Sequence, residues 1–525
     1  MRPALIRERG RCRRSGVVAL AATAGLLGSS SAALAQKELT PRIQTLLTNA
    51  KLNGAKVGVS VRDLDAGVDI ADINADLPLM PASNMKLLTS GTALSILGPD
   101  FAFRTEFIIA GEPGSERLFI KGSGDPALAD PVILERMEKK LTVESMLEAL
   151  VGAVKQAGIS KLSEVVVDDR VFDRQWVHPT WPKDQLEKWY CAPVSGLNFH
   201  TNVISAFPAP SPEGVGRPPV IVLEPAASWL DIDNRAKTID NGKNSAWLSR
   251  GPEGNRYTLF GEVRQPSRQP IEISLADAET FTGQVFAAEL SRQGVTVGKG
   301  GREGAINAVR LIDDADKYQG RTVAVVSTHM ADILSRCNGD SHNLYAEALI
   351  KRVGNAVTGE PGSWTNGSSV VRMAIAQSNK LGPKFAAGTV IVDGSGLSHE
   401  NRVSPATFTH WLDEMQKDKR IGAEFIDSLA TPEKKGGIRR RFQDAKLNCE
   451  LAAKTGTIDG VRCLSGYLTN PQNGHRISFS VMVNDVHENE IQDALQFHEN
   501  VVVAIDRWMT SGEKKGAKNA AAGDR

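Results

Sequence analysis

The chain has 525 residues, with 62 lysines and arginines against 61 aspartates and glutamates, so its formal net charge is +1 at pH 7. A chain so close to neutral has no overall field that draws it to nucleic acid or to an anionic membrane surface, and neither is predicted as a partner. Hydrophobic residues make up 41% of the sequence and charged residues 23%, which is ordinary for a globular protein. The length suggests about three domains.

The first 35 residues differ in composition from the rest. Six arginines precede a short apolar run at 17–27, and small residues then lead to Ala33-Leu34-Ala35. This order predicts a secretory signal peptide, residues 1–35, that is cut after Ala35 and delivers the protein to the periplasm or another extracytoplasmic compartment. A membrane anchor is the alternative, but the run is too short to cross about 30 Å of hydrocarbon. No transmembrane segment is predicted in the mature chain.

The mature chain begins with apolar positions at helical spacing over residues 39–52, followed by a hairpin of strands at 57–61 and 68–73. Residues 85–97 are apolar and favour a helix. The next 220 or so residues contain short strands, with helical patterns at 142–156 and 280–293. Helical patterns return at 330–336 and 341–353. The tail, residues 512–525, consists mostly of Lys, Gly and Ala and is predicted to be disordered.

The first motif with chemical content is Ser83-Asn84-Met85-Lys86, at the start of the predicted helix 85–97. Positions i and i+3 share a helix face, so the Lys86 amine can approach the Ser83 hydroxyl. A serine is a weak nucleophile until a nearby base takes its proton. Lysine serves as that base when burial or a neighbouring cation lowers its pKa. Alone the pattern is weak, because Ser511 and Lys514 match it by chance.

The second motif is Ser341-His342-Asn343, on a turn that leads into the helical pattern 341–353. It places a hydroxyl and a side-chain amide two residues apart, where they can relay a proton and hold a substrate amide. Serine and asparagine also cap helices and close turns in many loops, so this motif alone is weak as well.

The third motif is Lys454-Thr455-Gly456-Thr457, between two predicted strands. An edge strand offers unpaired N–H and C=O groups to which an extended peptide can add. Lys454 and Thr455 would then meet the carboxylate of the substrate in a charge-assisted contact. Gly456 is predicted to leave room for close approach of the substrate.

The three motifs together are far more specific than any one of them, because they occur in the order SxxK, SxN, KTG that penicillin-binding proteins and class A β-lactamases share. The chain resembles the low-molecular-mass class C penicillin-binding proteins, the D-alanyl-D-alanine carboxypeptidases and endopeptidases of the penicillin-binding protein 4 type. Three further stretches carry the resemblance: GSGDP at 122–126, YCAPVSGLN at 190–198 and DGSGLS at 393–398.

The spacing of the motifs distinguishes this family from compact β-lactamases, because 258 positions separate Ser83 from Ser341. The resemblance implies an α/β (α+β) transpeptidase or β-lactamase-like catalytic domain, an antiparallel sheet flanked by helices, formed by residues 37–104 and 323–511. It also implies two inserted β-rich domains. These comprise residues 105–192 with 297–322, and residues 193–296.

The resemblance also implies roles for the motif residues. It makes Ser83 the nucleophile, Lys86 its base and Ser341 the proton relay to the leaving amine, while Asn343 orients the substrate amide. Lys454 and Thr455 would bind the terminal carboxylate, and Thr457 with Ser83 would supply an oxyanion hole. From the inserted region, Tyr190 and Asp184 are the candidates for contacts to the peptide stem, although Tyr190 is equally well explained as packing between domains.

The sequence departs from the family pattern at three positions. His342 stands where the relatives commonly have Asp and is predicted to be structural. His399 follows the DGSGLS loop where an arginine is frequent, and it offers only a pH-dependent charge. Asp459 stands where relatives place an amide. His399 and Asp459 therefore bear on the side-chain preference of the substrate site, and the reaction itself is unaffected.

The predicted function is an exported serine-type D-Ala-D-Ala carboxypeptidase, DD-endopeptidase or both. Its partners would be the stem peptides and cross-links of peptidoglycan, with β-lactam antibiotics as covalent inhibitors. No cofactor is expected, and no CxxC cluster suggests a zinc site. A β-lactamase and a non-catalytic wall-binding protein are the alternatives, which the long insertion and the three intact motifs respectively disfavour. The sequence leaves open the oligomeric state and any disulfides among Cys191, Cys337, Cys449 and Cys463.

Overall fold

The computed structural model describes residues 39–522 except 138, 252–253, 434–435 and 440, and it describes side chains as far as residue 511. The predicted signal peptide and its cleavage site after Ala35 lie outside the described residues. Of the helices that the structure describes, none combines the length and the apolar character that crossing a membrane requires.

Twenty strands form within the described residues. In chain order they are β1 (Lys56–Asp63), β2 (Val68–Ile73), β3 (Ala102–Ala110), β4 (Arg117–Lys121), β5 (Lys161–Leu162), β6 (Glu164–Asp168), β7 (Val203–Ala209), β8 (Val220–Glu224), β9 (Asp231–Asn234), β10 (Lys237–Thr238), β11 (Trp247–Arg250), β12 (Arg256–Phe260), β13 (Glu262–Val263), β14 (Ile271–Ser274), β15 (Thr296–Val297), β16 (Val309–Leu311), β17 (Arg321–His329), β18 (Glu450–Ile458), β19 (Val461–Thr469) and β20 (Arg476–Asn484).

The helices of the described chain are mostly grouped before β3 and after β17. In chain order they are α1 (residues 39–49), α2 (Met85–Leu97), α3 (Pro131–Arg136), α4 (Val143–Gln156), α5 (Ala278–Arg292), α6 (Gly301–Ile306), α7 (Met330–Leu334), α8 (Asn343–Thr358), α9 (Trp364–Gln377), α10 (Pro383–Ala387), α11 (Pro405–Lys417), α12 (Gly422–Asp427) and α13 (Ile491–Ala522).

A five-stranded antiparallel sheet, in the order β18-β19-β20-β1-β2, forms the centre of the catalytic domain. One face of β20 packs Phe479 and Val481 into the core that α1 and α13 cover. The other face carries Ser478, whose hydroxyl donates to the Thr409 carbonyl of α11 at 3.0 Å. Both faces of β20 are therefore covered. This explains why the strand is buried along almost its whole length. The predicted fold class, an antiparallel sheet flanked by helices, is confirmed.

The inserted region is built on a second five-stranded sheet, in the order β16-β6-β4-β3-β17. Its first strand, β3, and its last strand, β17, are antiparallel neighbours, with Ala102 opposite His329. The chain therefore leaves the catalytic domain and returns to it side by side. The predicted domain boundaries at 104/105 and 322/323 both fall inside these paired strands.

The division of the insertion into two domains stays a prediction, and the packing of one helix bears on it. Helix α5, assigned by sequence to the segment 193–296, packs against β6 and β16 of the second sheet. Gly283 allows this contact, because a Cβ there would lie 2.4 Å from Val309 Cγ1 and 3.0 Å from Val167 Cγ2. One hydrophobic core draws its buried residues from both predicted inserted domains, the first in sequence being Phe107 and the last Ala305. The small sheets β14-β7-β8 and β11-β12-β9 extend that core.

The structure also bears on the C-terminal tail and on the cysteines. Helix α13 is continuous from Ile491 to Ala522. The predicted disorder of residues 512–525 stays a prediction. Cys191, Cys337 and Cys463 are buried free thiols.

Candidate active site

The candidate nucleophile lies on a tight turn in front of a buried helix. Ser83 is the middle residue of the 3-10 turn Ala82–Asn84, and α2 follows directly. Lys86, one helical turn later, is completely buried, and its Nζ donates to Ser83 Oγ at 3.0 Å. The shared helix face predicted from the SxxK spacing is thus what brings the amine to the hydroxyl.

The turn that presents Ser83 is held in a left-handed conformation. Ala82 has φ 45°, which costs a non-glycine residue about 1–2 kcal/mol. Two glycines pack around it. A Cβ on Gly396 would lie 1.8 Å from the Ala82 carbonyl oxygen, and one on Gly456 would lie 2.7 Å from the Pro81 carbonyl oxygen. Gly456 therefore makes room for the nucleophile's own backbone, and its contact with the substrate stays a prediction.

The Lys86 amine is surrounded by acceptors from three separate parts of the chain. Besides Ser83, Nζ donates to Asn343 Oδ1 at 2.8 Å and to the Ser395 carbonyl at 3.0 Å. Burial lowers the pKa of Lys86 to about 8, although the carboxylates of Glu347 and Asp393 oppose that shift. A substantial neutral fraction near neutral pH follows, and a neutral amine is what a general base requires.

The SxN motif lies on the turn between a π turn at Ser335–Gly339 and helix α8. Ser341 has φ 62°, and its hydroxyl accepts a hydrogen bond from Lys454 Nζ at 2.7 Å. Asn343 is the first residue of α8, and its Nδ2 donates to the Tyr190 carbonyl at 2.8 Å. The second motif is therefore joined to the first by Asn343 and to the third by Ser341.

His342, between these two residues, points away from them. Its ring lies 5.5 Å from that of Trp189 and 5.1 Å from that of Tyr345, measured between centroids. Burial, and next the charge of Arg336, lower the pKa of His342 to about 3. A neutral, packed imidazole agrees with the structural role predicted for it.

Lys454 lies on β18, the edge strand of the catalytic sheet. It is buried, with Nζ also donating to the Thr455 carbonyl at 2.9 Å. Burial, and next the charge of Lys86, hold the pKa of Lys454 well below its usual range. Among the described residues of the loop before β18, Ala430 pairs with Ala453 in an isolated bridge. The outer edge from Lys454 onward is thus placed for strand addition, as the motif predicts.

A buried layer behind the motifs holds the loop that contacts Lys86. Glu347 accepts hydrogen bonds from the backbone N–H groups of Gly394 and Ser395, at 2.9 and 2.8 Å, and from Trp364 Nε1 at 2.7 Å. Burial, and next the charge of Asp393, raise the pKa of Glu347 to about 7. Sequence reasoning missed Glu347. Its position four residues after Asn343, on the same face of a helix, was the available signal.

A cleft of about 450 Å³ opens beside Ser83, Ser341 and Asn343. Four of the residues predicted to contact substrate line it: Tyr190, His399, Thr457 and Asp459. Thr455 and Gly456 lie beside this cleft without lining it. Trp189, Asp340 and Arg462 are among the lining residues that sequence reasoning missed.

The structure places Gln185, the neighbour of the predicted Asp184, in the wall of the cleft. Gln185 lines the cleft, and its Oε1 accepts a hydrogen bond from the Tyr190 hydroxyl at 3.1 Å, whereas Asp184 is exposed and outside the lining. Both residues belong to the 3-10 turn Lys183–Gln185. Such a turn rotates about 120° per residue, so adjacent side chains face different directions.

Helical and antiparallel elements of this kind, around linked SxxK, SxN and KTG motifs, define a serine peptidase. The sequence profile of the D-Ala-D-Ala carboxypeptidase 3 (S13) family matches residues 39–506, and the chain belongs to that family. The predicted resemblance to penicillin-binding protein 4 is thereby confirmed, and the protein is a serine-type D-Ala-D-Ala carboxypeptidase.

Individual relatives agree with the family assignment. A D-alanyl-D-alanine carboxypeptidase of Actinomadura sp. (strain R39) is 29% identical over 99% of this chain and 95% of its own. The carboxypeptidase DacB of Haemophilus influenzae is 22% identical over 87% of this chain and 92% of its own. The fold is similar to the crystal structure of penicillin-binding protein 4 from H. influenzae, with a TM-score of 0.69 and 19% identity, covering 88% of this chain and 99% of that one.

Proposed function

We propose that the protein cleaves D-alanyl-D-alanine bonds of peptidoglycan through an acyl-enzyme on Ser83, acting on terminal D-alanine, on cross-links or on both. One observation carries this proposal. Ser83 Oγ lies 3.0 Å from the amine of Lys86, which is fully buried and has a lowered pKa. That arrangement supplies a nucleophile and its base in hydrogen-bond contact.

The first step follows from the hydrogen bonds of Lys86. A neutral amine has two N–H donors and one lone pair. Asn343 Oδ1 and the Ser395 carbonyl accept from Nζ, so the lone pair is left directed at Ser83 Oγ. Lys86 takes the hydroxyl proton as Ser83 attacks the carbonyl of the penultimate D-alanine. The N–H groups of Ser83 and Thr457 stabilise the oxyanion, an effect of about 3–4 kcal/mol in serine peptidases.

The second step uses the other hydroxyl–amine pair. Ser341, hydrogen-bonded to Lys454, passes a proton to the departing amine as the C–N bond breaks. The terminal carboxylate binds Lys454 and Thr455, and this negative charge favours the protonated form of Lys454. Because two buried ammonium groups repel each other, substrate binding at Lys454 also favours the neutral form of Lys86. Water then hydrolyses the ester and releases the acyl product.

The acyl side of the substrate lies along β18 and in the cleft. Asn343 uses one N–H of its amide for Tyr190, and the second remains for the substrate carbonyl. Tyr190 and Gln185 close one wall, while His399 and Asp459 face the side chain of the stem residue. The carboxylate of Asp459 makes a basic side chain, such as that of a diamino acid, the better partner at this end.

β-Lactams are proposed to acylate Ser83, since they present a reactive carbonyl and a carboxylate in the spacing of the D-Ala-D-Ala terminus. The structure of the H. influenzae relative complexed with a β-lactam has a TM-score of 0.64 and 20% identity to this chain, covering 88% of this chain and 98% of that one. Export through the predicted signal peptide is part of the same proposal, because the substrate lies outside the cytoplasm. Mass spectrometry of the secreted protein should find Gln36 at its N-terminus, whereas a retained Met1 would contradict export.

The nucleophile is tested by labelling with fluorescent penicillin. Wild-type protein should be labelled covalently, and Ser83→Ala should not. Ser95→Ala is the matched control, because Ser95 lies on the same helix and only caps the Gly91 carbonyl. Equal labelling of the Ser83→Ala protein would refute the assignment. Digestion of cross-linked peptidoglycan, followed by separation of the muropeptides, measures the balance of carboxypeptidase and endopeptidase activity.

A further inference from the structure

A second cavity, of about 590 Å³, lies on the other side of Ser341 from the cleft. Asp340 and Ser341 line both cavities, so the two adjoin at these residues. The other lining residues come from both parts of the molecule: Val132, Glu135, Arg136 and Lys140 from the inserted region, and Arg336, Gly436 and Gly437 from the catalytic domain.

The direction of β18 assigns this cavity to one side of the scissile bond. The cleft is lined by Thr457, Ile458 and Asp459, downstream of the proposed carboxylate site at Lys454 and Thr455. The second cavity is lined by Gly437, which lies directly against Thr455, since a Cβ on Gly437 would be 2.3 Å from Thr455 Oγ1. It therefore lies beyond the carboxylate, where the leaving group departs.

The size of this cavity does not fit a terminal D-alanine, whose side chain is a single methyl group. In a cross-link, the leaving amine belongs to the D-centre of a diamino acid. Its long side chain leads to the second centre of that residue, whose carboxyl group is a free carboxylate where the second stem ends at the diamino acid. That leaving group keeps the carboxylate for Lys454 and Thr455 and adds a chain that needs a cavity of its own.

The polar lining of the cavity offers donors to such a chain. Arg136 is 41% exposed, and its guanidinium donates to Ser335 Oγ at 3.2 Å and to Asp340 Oδ2 at 2.9 Å, which leaves three of its five N–H groups available. Lys140 adds an exposed ammonium. Arg336 is committed to Asp130 and Asp340. Glu135 and Asp340 are the two carboxylates of the lining. Asp340 already accepts hydrogen bonds from Arg136 and Arg336, so among the described residues Glu135 is the unpaired one of the two that opposes an anionic ligand.

We propose that this cavity is a leaving-group subsite, which binds the long side chain of a departing D-residue when that chain ends in a carboxylate. Arg136 and Lys140 supply the recognition. The inference rests on the proposed function, because the side of the scissile bond follows from the roles of Lys454 and Thr455. It assigns to the inserted region a direct part in distinguishing a cross-linked stem from a free terminus.

The test uses three substrates that share a diacetyl-L-lysyl-D-alanyl acyl group and differ only in the leaving residue: D-alanine, D-norleucine or D-α-aminoadipate. Norleucine and aminoadipate have side chains of similar length, so their comparison isolates the carboxylate. We expect kcat/KM to be at least about threefold higher for aminoadipate than for norleucine, the size of one exposed ion pair. Aminoadipate turned over more slowly than D-alanine would overturn the subsite.

Three charge variants give the sign of the effect. Lys140→Gln should lower kcat/KM for aminoadipate by about threefold, and Glu135→Gln should raise it by a similar factor, each without changing turnover of the D-alanine substrate. Lys139→Gln is the matched control, because Lys139 is an exposed neighbour outside the lining. Equal effects of Lys139→Gln and Lys140→Gln would contradict the proposal.

A filling variant tests the volume independently of charge. Val132→Trp should slow cleavage of both long leaving groups by about tenfold while D-alanine is released as before. If this variant does not fold, the charge variants decide alone. Failure of the wild-type enzyme on all three substrates would refute the proposed function, whereas equal turnover of all three would refute only the subsite.

Discussion

Lys86 combines two demands that usually conflict in a protein interior. It is completely buried, which favours the neutral amine, yet every hydrogen-bonding position of its nitrogen has a partner. Because the acceptors are a carbonyl and an amide oxygen, neither carries the full charge that would hold the proton on the amine. The pKa of Lys86 is therefore lowered by its buried position, which helix α2 and the two segments packed on it create.

The pH dependence of acylation follows from that pKa. The reactive form is the neutral amine, which is populated as pH rises through about 8. The second-order rate of Ser83 acylation by a β-lactam should thus increase with pH and level off above 8, because this rate reports the free enzyme. The charged groups facing Lys86 are Glu347, Asp393 and Lys454. Stopped-flow labelling from pH 5.5 to 9.5 measures the profile, and a rate independent of pH would contradict the role of Lys86.

Lys454 should bind the carboxylate of the substrate, and its positive charge should also favour the neutral form of Lys86. We expect Lys454→Ala to lower kcat/KM on diacetyl-lysyl-D-alanyl-D-alanine by at least about 100-fold, or about 2.7 kcal/mol of transition-state binding. Lys454→Arg keeps the charge and should retain more activity than alanine. Lys56→Ala, an exposed lysine on the same sheet, is the control and should leave turnover unchanged. Unchanged turnover in a folded Lys454→Ala protein would exclude this lysine from the mechanism.

The structure brings together five residues that short motifs predicted: Ser83, Lys86, Ser341, Asn343 and Lys454. It places Gln185 and not Asp184 in the cleft wall, because the phase of a 3-10 turn is not visible in the sequence. Glu347 was missed because its partners, Gly394 and Ser395, are backbone groups some fifty residues away. Sequence motifs identify groups that react, and they give little information about groups that position others.

Among the elements, the turn before α2 shows how backbone packing sets a catalytic position. Ala82 keeps its left-handed conformation between the 393–398 loop and β18, each contributing one glycine at the contact. Helices α9 and α11 were not predicted, although Ser404 and Pro405 form a capping serine and an N-terminal proline at the start of α11. The strands of the motif hairpin were predicted, because alternation and the KTG motif marked them together.

Gly396 gives the sharpest test of this packing. Gly396→Ala places a Cβ 1.8 Å from the Ala82 carbonyl, at a residue with φ 83°. We expect a loss of about 2 kcal/mol in stability together with at least tenfold slower penicillin labelling, since the turn must move. Gly388→Ala is the matched control, because its nearest atom would be 3.7 Å away. Thermal melts and labelling rates measure both, and equal behaviour of the two variants would contradict the packing argument.

For the whole molecule, the sequence predicted a long insertion with its correct place in the chain order but not its internal division. The apolar face of α5, with Phe281, Val285 and Phe286, would pack as well on either neighbouring sheet when judged from spacing alone. Which sheet it meets depends on contacts between residues far apart in sequence, such as Gly283 with Val167 and Val309. Such contacts leave no local pattern.

Glu279 on α5 predicts how stability depends on pH. Burial, and next the charge of Asp277, raise its pKa from 4.5 to about 8, so the folded state holds a proton that the unfolded state has lost. Stability from this residue is therefore present below pH 4.5 and falls as pH rises to about 8. Glu279→Gln should raise the stability at pH 8.5 by about 2–4 kcal/mol.

Glu289, on the same helix, is the control with the opposite sign. Its pKa is lowered, chiefly through hydrogen bonds from Arg292 and Gln293 that outweigh its burial, so Glu289→Gln should destabilise at pH 8.5. Thermal melts of both variants at pH 5 and pH 8.5 measure the two effects. A Glu279→Gln protein that is no more stable than wild type at pH 8.5 would contradict the assignment.

The pairing of β3 with β17 has a consequence for the inserted segment. Ala102 and His329 are opposite each other in a ladder whose Cα atoms are about 5 Å apart. The segment between β3 and β17 can therefore be added or removed at a single connection, and the path of the chain through the rest of the catalytic domain does not change. Deletion would retain Ser83 and both lysines but remove Tyr190, whose carbonyl holds the amide of Asn343. The inserted segment is thus part of the wall of the catalytic cleft, and its removal should disturb the position of Asn343.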